Sequence, residues 1–380
     1  MAPKEHGQNT TAVRTGYQLD AAQLEPYLAK AISGISLPIK VSQFKLGQSN
    51  PTYLLTDAKG QRFVLRKKPA GALLSSTAHA VEREYRILKA LGENTNVPVP
   101  KVYTLCEDVS VIGTPFYVME FLQGRIFSDI TLSKLPFEER RLWYDSRAAF
   151  WLSAIDTLAK LHQVDHVAVG LESYGKPTGF YRRQIGSLSK VAAAQAAAKD
   201  SEGNAVGPIP GIEEMAVWFK NNEVKDSTSI VHGDYKMDNL VFHPTEPRVI
   251  GMLDWELSTI GHPYSDLANL LNPYYTPAIE GSPMVGLGGI ADKDLPIPPV
   301  NILLERYCNQ TSRPFPIDNW LFCIAFSFFR MSVILHGIKA RVARGQASSA
   351  EAQFYANLAN PVAELALQIA QQSTATKAKL

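Results

Sequence analysis

Strand patterns fill the first part of this chain and helical patterns fill the rest, an order that few fold classes have. Between Val41 and Leu122, short β-branched and aromatic runs are bounded by Gly or Pro, as in QRFVLRKKP, VPKVYTL and PFYVMEFL. Such runs predict strands. One predicted helix interrupts them, TAHAVEREYRILKAL, in which Val81, Tyr85 and Leu88 recur close to a helical period.

Helical patterns dominate after Gly124. They include WLSAIDTLAKLHQV and WLFCIAFSFFRMSVILHGIKARV, of which the second is apolar on every side and is expected to be buried. We therefore predict an α+β, bilobal fold, with a small antiparallel β-sheet N-lobe that contains one helix and a larger, mainly helical C-lobe. The expected segments are a flexible N-terminus at 1–20, the N-lobe at 21–122, the C-lobe at 123–370 and a flexible tail at 371–380.

Composition excludes several classes of protein. Hydrophobic residues make up 46% and charged residues 19% of the chain, which is typical of a globular protein. The 38 Lys and Arg residues nearly balance the 36 Asp and Glu residues, so bulk charge does not indicate nucleic-acid binding. Neither a membrane span nor secretion is expected, because no long apolar run occurs and MAPKEHGQNT lacks an apolar core. Three cysteines without metal-ligand spacing favour a reducing compartment.

The segment IVHGDYKMDNLVFHP, followed by RVIGMLDWE, has the clearest chemical pattern. Two short strands enclose a loop with Asp234, Lys236 and Asn239, and a third strand ends at Asp254. Phosphoryl transfer needs a carboxylate to accept the proton of an attacking hydroxyl, and oxygen ligands for Mg²⁺. Asp234 fits the first role, Asn239 and Asp254 the second, and Lys236 could contact the transferred phosphate. The alternative is a polar turn between hairpin strands, where Asp and Asn are common.

A cation on the third predicted strand would hold nucleotide phosphates if a carboxylate fixed it in place. In QRFVLRKKP, Val64 and Arg66 share one face of the strand, and Lys68 is a second candidate on that face. Glu84 lies beside the apolar stripe of the predicted helix, where a carboxylate is costly unless it is paired. We therefore expect an Arg66–Glu84 pair, with Val64 beneath an adenine. The alternative is that both are ordinary surface charges.

Two further segments are candidates for nucleotide contacts. FKLGQSNPTYLL could fold backbone N–H groups over phosphates, although a plain hairpin turn has the same pattern. Its candidate residues are Gly47, Ser49 and Asn50. The second segment is either a hinge strand whose backbone binds adenine or an ordinary strand end. Its residues are Met119, Glu120, Phe121 and Leu122.

Taken in order, LGQSNPTYLL, FVLRKKP, EREYRIL, FYVMEFLQG, HGDYKMDN, MLDWE and GHPYSDLANLL resemble the aminoglycoside phosphotransferase / choline kinase branch of the protein-kinase-like fold. The resemblance covers nearly the whole chain. It implies an ATP- and Mg²⁺-dependent kinase that acts on an alcohol, with Asp234 as catalytic base and Asn239 and Asp254 as metal ligands. The chain has DWE where protein kinases have DFG, and Arg where they have the strand-three Lys; both departures are usual in this branch.

A narrower similarity is to the kinase domains fused to certain acyl-CoA dehydrogenases of fatty-acid catabolism. It rests on FVLRKKPAG, HAVEREYRIL, SVIGTPFYVMEF, FYRRQI and FRMSVILHGIKARVARGQASSAEA. Those domains phosphorylate the hydroxyl of 4-hydroxyacyl-CoA, so the similarity implies an acyl-CoA alcohol as substrate. The dehydrogenase part is not expected in this chain, which stops soon after its last predicted helix. Four arginines could meet CoA phosphates or could be solvated surface charges. They are Arg182, Arg183, Arg341 and Arg344.

Other functions stay open. A kinase of this branch could act on an amine-bearing molecule such as choline or an aminoglycoside, which would need an acidic or aromatic pocket. A nucleotide-binding pseudokinase scaffold is the alternative outside enzymes, and the intact set of Asp234, Asn239 and Asp254 speaks against it.

The last three residues, Ala378, Lys379 and Leu380, resemble a peroxisomal address of the S-K-L type. The segment before them is unpatterned and is expected to leave them exposed. The pattern predicts a peroxisomal import receptor as partner and the peroxisome as location, with the cytoplasm as the alternative, since any tripeptide can occur by chance.

Overall fold

The computed structural model describes residues 10–14, 17–44, 50–69, 80–133, 135, 144–279, 285–347 and 351–377. The strands are β1 (Thr10–Thr11), β2 (Lys40–Phe44), β3 (Thr52–Thr56), β4 (Arg62–Lys67), β5 (Val102–Cys106), β6 (Phe116–Glu120), β7 (Ser229–Val231), β8 (Leu240–Phe242), β9 (Val249–Met252) and β10 (Thr259–Gly261). The α-helices are α1 (Ala21–Ala31), α2 (Val81–Asn94), α3 (Val109–Ile112), α4 (Tyr144–His162), α5 (Phe180–Ala196), α6 (Ile212–Asn221), α7 (Tyr264–Leu271), α8 (Val300–Gln310), α9 (Trp320–Ala343), α10 (Ala352–Asn357) and α11 (Ala359–Lys377).

The chain divides into two compact units. The first comprises residues 1–173 and 232–258, and the second comprises residues 174–231 and 259–380. The sheet, α1 to α4 and the hairpin β8–β9 belong to the first unit, while β7, β10 and α5 to α11 belong to the second. The predicted lobe boundaries remain predictions.

An antiparallel sheet in the order β1-β2-β3-β4-β6-β5 forms the N-terminal part of the first unit. Successive side chains of a strand point to opposite faces of a sheet. Phe63 and Leu65 of β4 therefore share one face, where they join an apolar core with Leu24 and Leu28 of α1. Arg66 belongs to the alternate set of β4 residues and pairs in register with Tyr117 of β6.

Helix α2 packs beside β5 and β6. Its buried residues recur every three or four positions, as expected for a helix with one face against a core. Val81, Ile87, Leu88 and Leu91 are apolar, and Glu84 lies among them with only 1% of its surface exposed. The helix thus brings one carboxylate into an otherwise apolar interface.

The hairpin β8–β9 is joined to the remainder of the first unit by backbone hydrogen bonds. Arg125 and Phe242 exchange two such bonds, each with an N···O distance of 2.8 Å. The amide of Met252 donates to the carbonyl of Pro98 at 3.0 Å. Gly124 has no room for a side chain, because a Cβ there would lie 2.3 Å from the Phe242 oxygen. These contacts position the hairpin beside the residues that follow β6.

In the second unit, α9 packs against α5, α7, α10 and α11. Among the described residues, α9 is the one helix long and apolar enough to cross a membrane, with a mean hydropathy of 1.8 over an 18-residue window. Since 72% of that window is buried within the protein, α9 has the burial of a core helix. This agrees with the expectation that the segment is buried.

The predicted fold class is confirmed. An antiparallel sheet comes first, and the C-terminal part is mainly helical. Helices α1, α2 and the short α3 lie between the strands of that sheet along the chain, where one helix was predicted.

Candidate functional site

The hairpin β8–β9 brings Asn239 and Asp254 to the same end. Leu240 pairs with Met252, and the amide of Leu253 donates to the Asn239 carbonyl at 2.9 Å. Asn239, just before β8, therefore lies next to the residues that follow β9, among them Asp254. The two residues predicted as metal ligands lie together because strand pairing aligns them.

Asn239 also holds Asp234. Its amide nitrogen Nδ2 donates to the Asp234 carbonyl at 2.8 Å and to the Asp234 carboxylate at 3.0 Å. Both bonds use the donor end of the amide, which leaves Oδ1 as the end that can bind a cation. The structure thus unites Asp234, Asn239 and Asp254 in one loop system.

His232 links the loop of Asp234 to the end of β9. The Asp234 amide donates to His232 Nδ1 at 3.2 Å, so Nδ1 is an acceptor. The other nitrogen, Nε2, lies 2.9 Å from the Leu253 carbonyl and must therefore carry the proton. His232 is completely buried and acts as a structural link between the segments that carry Asp234 and Asp254.

The backbone on either side of this link is constrained. A Cβ at Gly233, where φ is +87°, would lie 2.4 Å from the Leu257 oxygen, so only glycine fits. Asp254 itself has φ of +67° and ψ of +61°, which is uncommon for a non-glycine residue. Such strain persists where the surrounding structure holds it, often at functional sites.

Arg66 lies within ion-pair distance of three carboxylates. Its Nε is 3.2 Å from Glu84, and its Nη2 is 2.7 Å from Asp254 and 3.2 Å from Glu256. The Glu84 contact is a charge contact rather than an aligned hydrogen bond. Burial opposes the charge of Arg66, but the carboxylates more than offset that cost and raise the pKa of its guanidinium. Arg66 therefore stays charged.

Glu84 has two further partners. Asn50 Nδ2 donates to one carboxylate oxygen at 2.8 Å, and the Tyr117 hydroxyl donates to the other at 3.1 Å. Burial raises the pKa of Glu84 to about 7, with the Arg66 charge acting in the opposite direction. The charges of Asp254 and Glu256, which face the same guanidinium, add to the increase in pKa.

Lys68, the second candidate cation, has its own partner. Its Nζ lies 2.5 Å from Glu82. Lys67, on the opposite face of β4, has its Nζ 3.5 Å from the carbonyl of Ile112. Arg66 is thus the one of these three cations that contacts Asp254.

The remaining predicted residues are placed as follows. Val64 and Met119 are directly opposed on β4 and β6, and both are nearly buried. The amide of Glu120 donates to the Lys101 carbonyl, and the Phe121 ring lies under the Arg62 guanidinium at 4.2 Å. Leu122 packs over Gly251, where a Cβ would come within 2.0 Å of its Cδ1.

Some predictions fall on residues that the structure does not describe. Gly47 and Ser49 lie outside the described residues, as do Ala378, Lys379 and Leu380. Their proposed roles stay predictions. Asn50 is described, and its side chain is directed at Glu84.

Two of the arginines considered for CoA binding have partners within the second unit. Arg182 makes two bonds to the Glu223 carboxylate, at 3.1 and 2.9 Å. Arg183 donates to the carbonyl of Lys176 at 2.8 Å.

Three functional candidates were not predicted from the sequence. Tyr117 reaches Glu84 because the β4–β6 register sets it opposite Arg66. Glu256, the last residue of DWE, contacts Arg66. Asp238 lies 3.5 Å from the Lys236 ammonium, and Asp234 lies 3.4 Å from the same group. The alternation of charged and apolar residues in DYKMD could have indicated that Asp238 lies on the same side of the loop as Asp234 and Lys236.

The donor set fits a magnesium ion shared with a substrate rather than a cage made of protein ligands alone. No group of three His, Cys, Asp or Glu side chains suited to a metal occurs in the part of the chain that the structure describes. Mg²⁺ usually takes one or two protein ligands and completes its shell with water and phosphate oxygens. Asn239 Oδ1 and the Asp254 carboxylate, of which 37% is exposed, meet that requirement.

Such a loop, facing a strand cation that is paired to a helix carboxylate, defines a class of protein: the phosphotransferases with a kinase-like fold. Residues 40–289 match the family described as "Phosphotransferase enzyme family", abbreviated APH. The chain belongs to this family. Membership confirms the predicted family and the predicted assignment as a phosphotransferase.

Similar proteins agree with this assignment. The chain is 38% identical over 384 residues to acyl-CoA dehydrogenase family member 11 of Homo sapiens, covering 99% of this chain and 46% of the relative. The chain therefore spans about half the length of such relatives. A solved structure from Ralstonia eutropha, described as a candidate aminoglycoside phosphotransferase, is 39% identical with a TM-score of 0.79, covering 93% of this chain and 99% of that one.

More distant structures share the fold alone. The streptomycin–ATP complex of the phosphotransferase APH(2″)-IIa has a TM-score of 0.56 at 15% identity, covering 89% of this chain and 99% of that one. The predicted kinase-like fold is thereby confirmed.

Proposed function

We propose that this protein transfers the γ-phosphoryl group of ATP, in the presence of Mg²⁺, to a hydroxyl group of a small molecule. The observation that carries the proposal is the convergence of Asp234, Asn239 and Asp254, with Arg66 bound to the last of them. A carboxylate, two oxygen ligands and a fixed cation are the parts that phosphoryl transfer requires.

Asp234 would orient the acceptor hydroxyl and take its proton. Asn239, which donates to the Asp234 carboxylate, keeps that side chain in one orientation. This role needs Asp234 to be accessible, and 28% of its side chain is exposed. General-base catalysis by a positioned carboxylate contributes about 10²–10⁴-fold to a rate.

Asn239 and Asp254 would hold Mg²⁺, which when bound neutralises charge on the nucleotide phosphates. Arg66 would exchange part of its contact with Asp254 for the phosphates, and Glu84 would keep its guanidinium in place meanwhile. Lys236, with 44% of its side chain exposed, would contact the transferred group. Positioning and charge stabilisation account for catalysis of this kind.

For the acceptor, we propose the hydroxyl of a hydroxyacyl-CoA in fatty-acid catabolism. Two observations support this choice: similarity over 99% of the chain to a relative named as an acyl-CoA dehydrogenase family member, and the sequence motifs shared with the kinase domains of such proteins. An amine-bearing acceptor is the second candidate, because the Ralstonia eutropha structure at 39% identity is described as a candidate aminoglycoside phosphotransferase.

An ADP-release assay with ATP, Mg²⁺ and a panel of acceptors tests both steps of the proposal. The panel contains 4-hydroxyacyl-CoAs, choline and aminoglycosides, with the acyl-CoAs that lack the hydroxyl as matched controls. We expect release with the hydroxyacyl-CoAs and none above background with their controls. Preference for choline or an aminoglycoside would overturn the acceptor. Nucleotide-dependent thermal stabilisation without turnover on any acceptor would indicate a binding scaffold instead of a kinase.

A further inference from the structure

Charged and buried side chains alternate along the loop 234–238. Tyr235 and Met237 are buried, with 0% and 2% of their surfaces exposed. Lys236 and Asp238 are open to solvent, with 44% and 47% of their side chains exposed. Lys236 has an extended backbone, φ of −156° and ψ of 163°, which directs neighbouring side chains to opposite sides.

Two anchors maintain this alternation. The Tyr235 hydroxyl donates to the Ala154 carbonyl at 2.7 Å, which fixes the ring in the interior. Met237 begins the short 3₁₀ helix Met237–Asn239, and the amide of Asn239 donates to the Lys236 carbonyl at 3.1 Å. Lys236 and Asp238 are therefore held on the open side of the loop.

On that side, one ammonium lies between two carboxylates. Lys236 Nζ is 3.4 Å from Asp234 Oδ2 and 3.5 Å from Asp238 Oδ2. Since the two distances are almost equal, neither carboxylate holds the ammonium alone. Asp234 and Asp238 are the only carboxylates within ion-pair distance of Lys236 in the part of the chain that is described.

We propose that Asp238 is a positioning residue that balances the pull of Asp234 on Lys236 and so keeps the ammonium from closing onto the catalytic carboxylate. This inference rests on the proposed function, in which Asp234 must be free to meet a hydroxyl and Lys236 to meet a phosphate. Without the charge of Asp238, Lys236 has Asp234 as its sole ion-pair partner among the described residues. The Lys236 ammonium and the Asp234 carboxylate then form an ion pair with each other, and this ion pair must break before the phosphoryl group can be transferred.

Kinetics of Asp238→Asn test the proposal, because the amide keeps the shape of the side chain and removes its charge. We expect kcat to fall about tenfold, less than the hundredfold that a misplacement of about 1 Å can cost. The KM for nucleotide should stay unchanged, because Arg66 and the metal ligands are untouched. Asp238→Glu should recover most of the loss. Glu93→Gln, an exposed carboxylate of α2, is the matched control and should behave as the wild type.

A Lys236→Met background separates positioning from a general structural effect. If Asp238 acts through Lys236, Asp238→Asn should have no further effect on kcat once Lys236 is Met. Additive losses, or a kcat for Asp238→Asn equal to that of the wild type, would overturn the proposal.

A crystal structure of Asp238→Asn gives a readout that does not depend on turnover. We expect the distance from Lys236 Nζ to Asp234 Oδ2 to shorten from 3.4 Å to about 2.8 Å, the length of a strong charged hydrogen bond. An ammonium that stays in place would overturn the inference even if the enzyme is a kinase. Movement of the ammonium in a protein without turnover would instead overturn the proposed function and leave the positioning role of Asp238 standing.

Discussion

The guanidinium of Arg66, on β4, lies 2.7 Å from the carboxylate of Asp254, two residues after the end of β9. This contact joins the residue predicted to hold nucleotide phosphates to a residue predicted to hold the metal. The same guanidinium is 3.2 Å from Glu84, which is almost fully buried. Arg66 of the sheet therefore contacts both helix α2 and the segment that follows the hairpin β8–β9.

Replacing Arg66 tests how much its contacts with Glu84 and Asp254 stabilise the first unit. Arg66→Met leaves the buried Glu84 without its cation, and breaking such a pair costs about 3 kcal/mol. We expect the free energy of unfolding, measured by urea denaturation at a pH above 7, to fall by that amount. Lys68→Met is the matched control, because the Lys68–Glu82 pair joins the residue after β4 to the same helix at a more exposed position. A surface pair contributes at most about 1 kcal/mol, so equal losses in the two variants would contradict this account.

The elevated pKa of Glu84 predicts a pH dependence of stability with a definite sign. Its pKa rises from 4.5 to about 7 on folding, mainly because of burial. Within that window the folded protein binds more protons than the unfolded chain. The contribution of Glu84 is therefore fully present below pH 4.5 and is lost as the pH rises to about 7.

Glu84→Gln isolates this contribution because it does not titrate. The unfolding free energy of the wild type minus that of Glu84→Gln should decrease by about 3 kcal/mol across the window. Urea denaturation of both proteins over the same pH series measures the difference. An increase with pH would mean that Glu84 is ionised well below its ordinary pKa in the folded protein, contrary to the assignment here.

The proposed metal ligands predict a change in magnesium requirement. Asn239→Ala removes the amide oxygen that is left free after Nδ2 has bonded to Asp234. We expect turnover to require at least about tenfold more Mg²⁺, and chelation to abolish it in the wild type. Asn94→Ala, which removes an exposed amide at the end of α2, is the control. The same Mg²⁺ dependence in Asn239→Ala and wild type would remove Asn239 from the ligand set.

Much of the site was predictable from the sequence because it depends on local periodicity. Strand parity selected Arg66 on β4, and the position of Glu84 beside the stripe of α2 selected its partner. Their ion pair at 3.2 Å agrees with that expectation. Asn239 and Asp254 were selected because their side chains carry oxygen ligands, and it is the pairing of β8 with β9 in the structure that brings them to the same end.

What the sequence did not predict depends on contacts between distant segments. Tyr117 reaches Glu84 through the register between β4 and β6, which no local pattern specifies. Glu256 meets Arg66 only because the hairpin lies beside that strand. The buried side chain of Asn50 donates to Glu84, a contact across 34 residues that the pattern around Asn50 did not indicate, while its predicted backbone contact to phosphates stays a prediction.

The most direct test of the central claim is the turnover of Asp234→Asn compared with its affinity for nucleotide. The amide has nearly the same shape as the carboxylate but cannot take a proton from the acceptor. We expect kcat to fall about a thousandfold, within the range for loss of a general base, and calorimetric binding of the nucleotide to be unchanged. Turnover at the wild-type rate in this variant would contradict the assignment of Asp234 and, with it, the proposed mechanism.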